Sequence, residues 1–233
     1  VASKPVLVVT GSRKGIGRHL AEHYSRKGFD VFGCSREPAA FKLRNYTHFR
    51  LDVTDEHTVK SMFGAIRDKR GRVDVLLCNA GITSMNHSLL ASANSVEDIM
   101  RTNVVGTFLF CREAAKLMKK RSFGRIVNFT STSVPLKIPG EMAYAASKAA
   151  VITMTQILAR EFAEFGITVN AVGPGPVDTD FIRDVAKSKL AGVLSLQAIN
   201  RLGTFEDITN AVDFFIRPES DFITGQTLFL GGV

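Results

Sequence analysis

The chain alternates short, continuously apolar runs with longer stretches in which apolar residues recur every three or four positions. "PVLVVT" (5–10) is a β-branched run that opens into the glycines of 11–17, and a helical stretch continues to Lys27. "DVFGCS" (30–35) and "THFRLDV" (47–53) read as a second and a third strand, and "VDVLLCNAG" (73–81) as a fourth that ends in a turn. Val59, Met62, Phe63 and Ile66 fall on one face of a helix predicted over 55–70. A longer helical pattern covers 95–120 and ends before Gly124. "GRIVNFTS" (124–131) and "GITVNAVGPG" (166–175) read as strands flanking the helix that carries Tyr144, and "GQTLFLGG" (225–232) as a last strand.

Strands that are apolar throughout, rather than at every second residue, belong to a parallel sheet covered on both faces. The expected fold is therefore α/β, a doubly wound Rossmann domain with a central, mostly parallel sheet. No linker, composition break or internal repeat divides residues 1–233, which are expected to form one domain. A hydrophobic share of 45% with 22% charged residues suits a globular protein with a sizeable core. No apolar run reaches the ~18 residues of a membrane-spanning helix. The first residues run straight into a strand without a signal peptide's charged and apolar regions, so a cytoplasmic location is expected. Cys34, Cys78 and Cys111 are odd in number and form no CxxC pair, which argues for packed thiols rather than disulfides or a metal site.

The formal charge of +8 is dispersed except for "KLMKKRSFGR" (116–125). No zinc-finger, RNP-like or basic-zipper pattern accompanies that run, so a solvated helix end is the plain reading and nucleic acid an unlikely partner. An anionic small substrate is equally compatible with the charge.

The turn "TGSRKGIG" (10–17) joins the first strand to the first predicted helix. Glycines there permit unusual dihedrals and let a phosphate approach the backbone at a helix N-terminus. The spacing is GxxxGxG, and no GK[ST] comes after it, which removes a Walker A loop. The residues of the turn, Gly11, Ser12, Arg13, Lys14, Gly15, Ile16 and Gly17, are thus candidates for dinucleotide binding. An NAD site places an acid at the end of the second strand, whereas Arg there accommodates a 2′-phosphate. Here that corner reads "GCSRE", with Ser35 in the place of the acid and Arg36 after it. With Lys14 or Arg13 as a second cation the set suits a phosphate dianion, although Glu37 stands two positions away. NADPH is the expected cofactor.

"GEMAYAASKAA" (140–150) puts Tyr144 and Lys148 four residues apart among small side chains, and so on one helix face. A free phenol titrates near ~10 and cannot ion-pair at neutral pH, so the pair is either surface decoration or a proton donor with its tuner. A neighbouring ammonium would lower the Tyr144 pKa towards the working range. Tyr24 and Tyr46 have no comparable cation at fixed spacing.

These segments, together with "LDVTD" (51–55), "NAG" (79–81), "TNVVGTF" (102–108), "IVNFTS" (126–131) and "VNAVGPGPVDTD" (169–180), resemble the short-chain dehydrogenase/reductases over essentially the whole chain. Within that family the tail 199–232 is most similar to the 3-oxoacyl-(acyl carrier protein) reductases. The resemblance implies a catalytic tetrad of Asn103, Ser131, Tyr144 and Lys148. It implies that Asp52 and Val53 contact the adenine, that Asn79, Ala80 and Gly81 line the adenosine side, and that Pro174, Gly175, Val177 and Thr179 hold the nicotinamide end. Lys148 would also bind the nicotinamide ribose, and Asn103 would hold a water that returns protons to it. Position alone does not choose among the hydroxyls of "TSTS" (130–133); the family's spacing to the Tyr selects Ser131.

The implied reaction is NADPH-dependent reduction of a 3-oxoacyl thioester, with Tyr144 as proton donor. Lys119, Lys120, Arg121 and Arg125 are candidates for docking an acidic acyl carrier protein. Glu164 and Phe165 stand where such reductases often carry a basic residue. The alternatives are a reductase or dehydrogenase of a sugar, polyol or secondary-metabolite ketone, and, from another class, a non-catalytic binding module that keeps the NADP(H) fold. A substrate loop and lid is expected over 181–200, with Phe181, Ile182, Val185, Leu190 and Val193 as its apolar residues. The family resemblance implies a homotetramer, or a dimer.

Overall fold

A computed structural model of the protein describes residues 4–179 and 187–233. Among the described residues seven strands form one sheet: β1 (Val6–Thr10), β2 (Asp30–Ser35), β3 (Tyr46–Arg50), β4 (Val75–Cys78), β5 (Gly124–Phe129), β6 (Ile167–Gly173) and β7 (Thr227–Phe229). Their order is β3-β2-β1-β4-β5-β6-β7, and every neighbouring pair is parallel. The sequence order reverses between β1 and β4, which opens a crevice at the C-terminal ends of those two strands. Ligands of doubly wound sheets bind at such a point.

Each face of the sheet has its own apolar layer. Val6, Val8, Phe32, Leu76, Ile126 and Val169 point to the face covered by α2 (Glu56–Arg70), α4 (Gly106–Met118) and α6 (Met142–Phe162). Leu7, Val9, Val31, Leu77, Val127 and Val172 point to the face covered by α1 (Gly15–Arg26) and a later helix, Phe205–Ile216. Alternate residues of one strand thus enter opposite layers, and for this reason the strands read as unbroken apolar runs. A fully buried Leu or Phe contributes roughly 1.5–3 kcal/mol, so the two layers supply most of the driving force. Among the described residues no helix is long and apolar enough to cross a membrane.

The structure departs from the sequence expectations in three places. The predicted helix over 95–120 is α3 (Ala93–Met100) and α4 joined by a π-helical turn, Arg101–Val105. Such a turn inserts one extra residue and rotates the facing of the helix beyond it. The apolar-run reading passes over Phe205–Ile216, which begins with a capping box between Thr204 and Asp207 and buries Ile208, Ala211, Val212, Phe215 and Ile216. The last predicted strand, 225–232, pairs only over Thr227–Phe229. Of the predicted lid, Phe181, Ile182 and Val185 lie outside the described residues. Leu190 and Val193 lie on α7 (Lys187–Leu194), which precedes α8, the helix Phe205–Ile216; the short α5 (Ser133–Leu136) precedes α6. The segment after α7 is tied to the chain's end, Ala198 N donating to Gly232 O at 2.9 Å and Ile199 N to Gly231 O at 3.0 Å.

Candidate active site

The glycine turn lies at the crevice. Gly11 and Gly15 have φ of 68° and 56°, in the left-handed region that side chains disfavour. A Cβ on Gly17 would stand 2.3 Å from Gly11 O and 2.5 Å from Asn79 Nδ2, so α1 can approach the turn only with glycine there. Arg13 and Lys14 are exposed, and α1 has no acidic residue in its first turn and no side chain capping its N-terminus. Open backbone N–H groups beside two cations fit a pyrophosphate. Ile16 packs against the apolar layer on the α1 face, and the Ser12 side chain turns inward.

At the end of β2, Arg36 is exposed and Ser35 half-buried, and the Ser35 hydroxyl donates to Glu37 O at 2.6 Å. Arg50 Nε donates to Arg36 O at 3.0 Å and sets a further guanidinium at this corner. Two arginines and a hydroxyl where an NAD site would place a carboxylate fit a 2′-phosphate. The exposed Glu37 side chain is the one acid nearby in sequence. Position-by-position reading missed two residues of the same corner, Tyr46 and His48, whose side chains reach Ser12 and Ser35.

Asp52 is exposed beyond β3 and accepts from Thr54 N and Thr54 Oγ1, both at 2.9 Å, while Asp55 caps α2. Val53 is buried against Gly106, where a Cβ would come within 2.8 Å of it. Asn79 Nδ2 donates to Thr10 O at 3.0 Å, and Ala80 N donates to Thr10 Oγ1 at 2.8 Å. These bonds tie the end of β4 to the glycine turn, so the Asn79 amide shapes the crevice. Gly81 closes it from the far side: a Cβ there would be 3.2 Å from Asn103 Oδ1 and 3.3 Å from Lys148 Nζ.

The proposed tetrad converges behind Gly81. The π turn buries Asn103, whose Oδ1 accepts from Ile82 N at 2.9 Å. Its amide hydrogens go to Ile82 O and Ser147 Oγ, both at 2.9 Å. The side chain therefore clamps the strand-end loop. Lys148, at 5% exposure, donates from Nζ to Phe129 O at 2.8 Å. Burial lowers its pKa to about 8, against a smaller upward pull from Cys78.

The expectation that Lys148 brings the Tyr144 pKa down is corrected by the structure. The Lys148 ammonium lies 5.8 Å from the Tyr144 ring centre and is turned to a carbonyl. Burial pushes the phenol up to about 12, the hydrogen bond with Ser131 lowers it and Glu141 raises it. A desolvated phenol resists ionisation unless a charge is aimed at its oxygen. Ser131 is buried and accepts from Ser133 N at 3.1 Å, with its hydroxyl 2.9 Å from that of Ser133. Of the four hydroxyls in "TSTS", Ser131 is the one that acts on the phenol, lowering its pKa.

The segment after β6 crosses from this group to the glycine turn. Pro174 O accepts from Thr132 N at 3.0 Å, Val177 forms a bridge to Gly203, and Thr179 lies 3.9 Å from where a Gly15 Cβ would be. A Cβ on Gly175 would stand 2.1 Å from Gln197 Oε1, so the buried Gln197 reaches under this segment. The candidate residues for the adenosine, pyrophosphate and nicotinamide ends are thus brought together along one edge of the sheet.

The basic run is divided by the structure. Lys119, Lys120 and Arg121 are exposed at the end of α4. Arg125 is 3% exposed, lies over the Phe123 ring and donates to Gly124 O and Pro218 O, so it is withdrawn from any docking surface. Lys119, Lys120 and Arg121 precede β5, whereas Ser131 lies beyond it. Six residues of strand separate the two by ~20 Å.

Comparison with known proteins gives the family. A family model described as Enoyl-(Acyl carrier protein) reductase matches residues 11–232. The 3-oxoacyl-[acyl-carrier-protein] reductase FabG of Escherichia coli is 36% identical over 97% of this chain and 96% of its own length. Among solved structures, ElxO with NADP bound superposes with a TM-score of 0.90 at 31% identity, covering 98% of this chain and 97% of that one. The aldohexose dehydrogenase of Thermoplasma acidophilum gives 0.91 at 29% identity, over 98% and 93%. With near-complete coverage in each comparison, this chain belongs to the short-chain dehydrogenase/reductase family of oxidoreductases.

Proposed function

We propose that the protein is an NADPH-dependent carbonyl reductase that converts a 3-oxoacyl thioester of acyl-carrier-protein type to the 3-hydroxyacyl product. The observation that carries the reading is the grouping of buried Ser131, a Tyr144 phenol whose pKa stands at about 12 against a downward pull from Ser131, and Lys148 buried on the next turn. NADPH, when bound, supplies the hydride. Gly11–Gly17 cradle its pyrophosphate, Ser35 and Arg36 meet its 2′-phosphate, and Asp52, Val53, Asn79, Ala80 and Gly81 border its adenosine half. Pro174, Gly175, Val177 and Thr179 border the other half. Ser131 orients the substrate oxygen and opposes the charge developing on it. Tyr144, protonated at neutral pH, donates its proton to that oxygen. Lys148, near its own pKa, replaces the proton.

An acidic carrier protein would dock on Lys119, Lys120 and Arg121, and its acyl arm would span the length of β5 to reach Ser131. The exposed Val105, Phe108 and Ile157 on the long helices support self-association, as a tetramer or dimer. The cytoplasm is the compartment this reading implies.

A second reading, reduction or oxidation of a sugar, polyol or other free ketone, is favoured by Glu141. This side chain is 8% exposed, its charge is felt by Tyr144, and its Oε2 has no hydrogen-bond partner among the described residues. A buried carboxylate oxygen without a donor suits a hydroxyl-bearing substrate. The likeness to the aldohexose dehydrogenase and the apolar Phe165 point the same way. NADPH oxidation with acetoacetyl thioesters and with free sugars and ketones separates the two. The thioester is expected to give the higher kcat/KM, and a higher value for a polyhydroxylated carbonyl would overturn that choice.

A further inference from the structure

Ser12 at the glycine turn and Ser35 at the 2′-phosphate corner are joined by two side chains of β3. The Ser12 hydroxyl is 2.8 Å from that of Tyr46, which is 2.6 Å from His48 Nδ1. His48 Nε2 is 3.0 Å from Ser35 Oγ and 3.2 Å from Glu37 O. The chain runs through a slot left by Gly33, where a Cβ would stand 2.3 Å from Ser12 Oγ and 2.4 Å from the Tyr46 hydroxyl.

The hydrogens in this chain can be assigned. Ser35 has one hydrogen, which goes to Glu37 O at 2.6 Å. His48 Nε2 therefore donates, because the carbonyl and the remaining lone pairs of Ser35 only accept. In the neutral ring Nδ1 then accepts from Tyr46, and Tyr46 accepts from Ser12. A phosphate oxygen is also only an acceptor. Ser35 can bond to one only by withdrawing its hydrogen from Glu37 O, which leaves that carbonyl without a donor. The group in reach of it is His48 Nε2–H.

We propose that His48 is a positioning residue for the 2′-phosphate of the cofactor, acting through Ser35: its Nε2–H takes over the Glu37 carbonyl when the Ser35 hydroxyl turns to the phosphate. This rests on the NADPH reading above. His48 also couples the corner to pH. A protonated ring donates from both nitrogens, so the chain on the other side must reverse, with Tyr46 donating to Ser12 and Ser12 to Cys34 O at 3.4 Å. Burial holds the ring towards its neutral form, and a dianion at Ser35 draws a proton back onto it.

The charged and titratable groups on the surrounding elements are Cys34, Arg36 and Glu37 at the end of β2, and Tyr46 and Arg50 on β3. Arg13 and Lys14 of the glycine turn and Arg18 of α1 complete the set. Arg18 is paired with Glu22 at 2.7 Å and lies over the Phe41 ring. Of these, Cys34 and Tyr46 are held un-ionised by burial through the neutral range. His48 is thus the group here whose charge can follow that of the phosphate, with burial favouring its neutral form.

The test uses the full chain and two probes, adenosine 2′,5′-bisphosphate and adenosine 5′-monophosphate, which lacks the 2′-phosphate. In an NMR titration of the imidazole, the bisphosphate is expected to move the His48 midpoint upward by about half a pH unit or more, and the monophosphate to leave it in place. His48→Leu is expected to weaken NADPH binding about tenfold while NADH binding stays within about twofold. His48→Gln, which keeps a donor near the Nε2 position, is expected to restore most of the NADPH affinity. Unchanged NADH affinity and the thermal melt report that the variants are folded, and the wild-type titration needs no variant. Equal losses for both cofactors, a Gln variant no better than Leu, or a midpoint indifferent to the bisphosphate would overturn the role of His48. A wild-type protein with no preference for NADPH over NADH would overturn the cofactor reading as well.

Discussion

Tyr46 and Tyr144 make a natural pair. Burial pushes both phenols up to about 12, and in both a serine hydroxyl, Ser12 or Ser131, pulls in the opposite direction. Yet one is a candidate proton donor and the other a link in a hydrogen-bond chain. The difference lies in what stands next. Behind Tyr144 is an ammonium whose pKa has fallen to about 8, close to Gly81 at the far side of the crevice. Behind Tyr46 is an imidazole that accepts its hydrogen and passes the contact on to Ser35. Burial raises both of these phenols, and the neighbouring donor or acceptor decides whether the proton is used.

The sharpest break in this comparison is the same mutation at both positions. Tyr144→Phe should lower kcat by about 10³-fold or more, since it deletes the acid, with NADPH affinity nearly unchanged. Tyr46→Phe should leave kcat within about threefold. Near wild-type turnover by Tyr144→Phe in a stopped-flow assay would sink the mechanism.

Next in size is Lys148. Its folded pKa of about 8 lies below the value of 10.5 in an unfolded chain, so the native state disfavours the charged form. The resulting penalty is on the order of 3 kcal/mol below pH 8 and fades as pH rises from 8 towards 10.5. Lys148→Met should therefore melt higher than wild type at pH 7, with the gap narrowing over that window, while turnover collapses. A gap that widens with pH in calorimetry would contradict the assigned sign. The smallest effect is expected for Glu141→Gln. Removing a charge that raises the Tyr144 pKa should move the alkaline limb of the rate profile down by less than about one pH unit. An upward movement would show that Glu141 acts otherwise.

The sequence disclosed those features that depend on local spacing. Unbroken apolar runs specify a doubly covered parallel sheet, and a four-residue interval puts Tyr144 and Lys148 on one face. The hydroxyl choice at 130–133 and the sign of the Tyr144 shift depend on burial and on where Nζ points, and no spacing encodes those. Arg125 looked like its exposed neighbours because its partners, the Phe123 ring and the carbonyl of Pro218, include one that is remote in the chain. The chain through Tyr46 and His48 needed the β2–β3 register and the absent side chain of Gly33 to become visible. Phe205–Ile216 is a different case. Its capping box and its apolar face were both present in the letters, but a reading led by strand-like runs gave them no weight.

The π turn at Arg101–Val105 carries a consequence for how this protein can change. One surplus residue gives the rod formed by α3 and α4 a phase offset, so Asn103 can meet Ile82 and Ser147 while Leu109, Phe110 and Ala114 still face the sheet. An ordinary α-helix would be the easier structure for the backbone, and deleting a single residue here would provide it. The shortened rod could satisfy one partner or the other, but not both. The segment therefore tolerates substitution at its exposed positions, Arg101 and Val105, better than a change in length, and a shortened variant could gain helical stability while losing the clamp on the crevice.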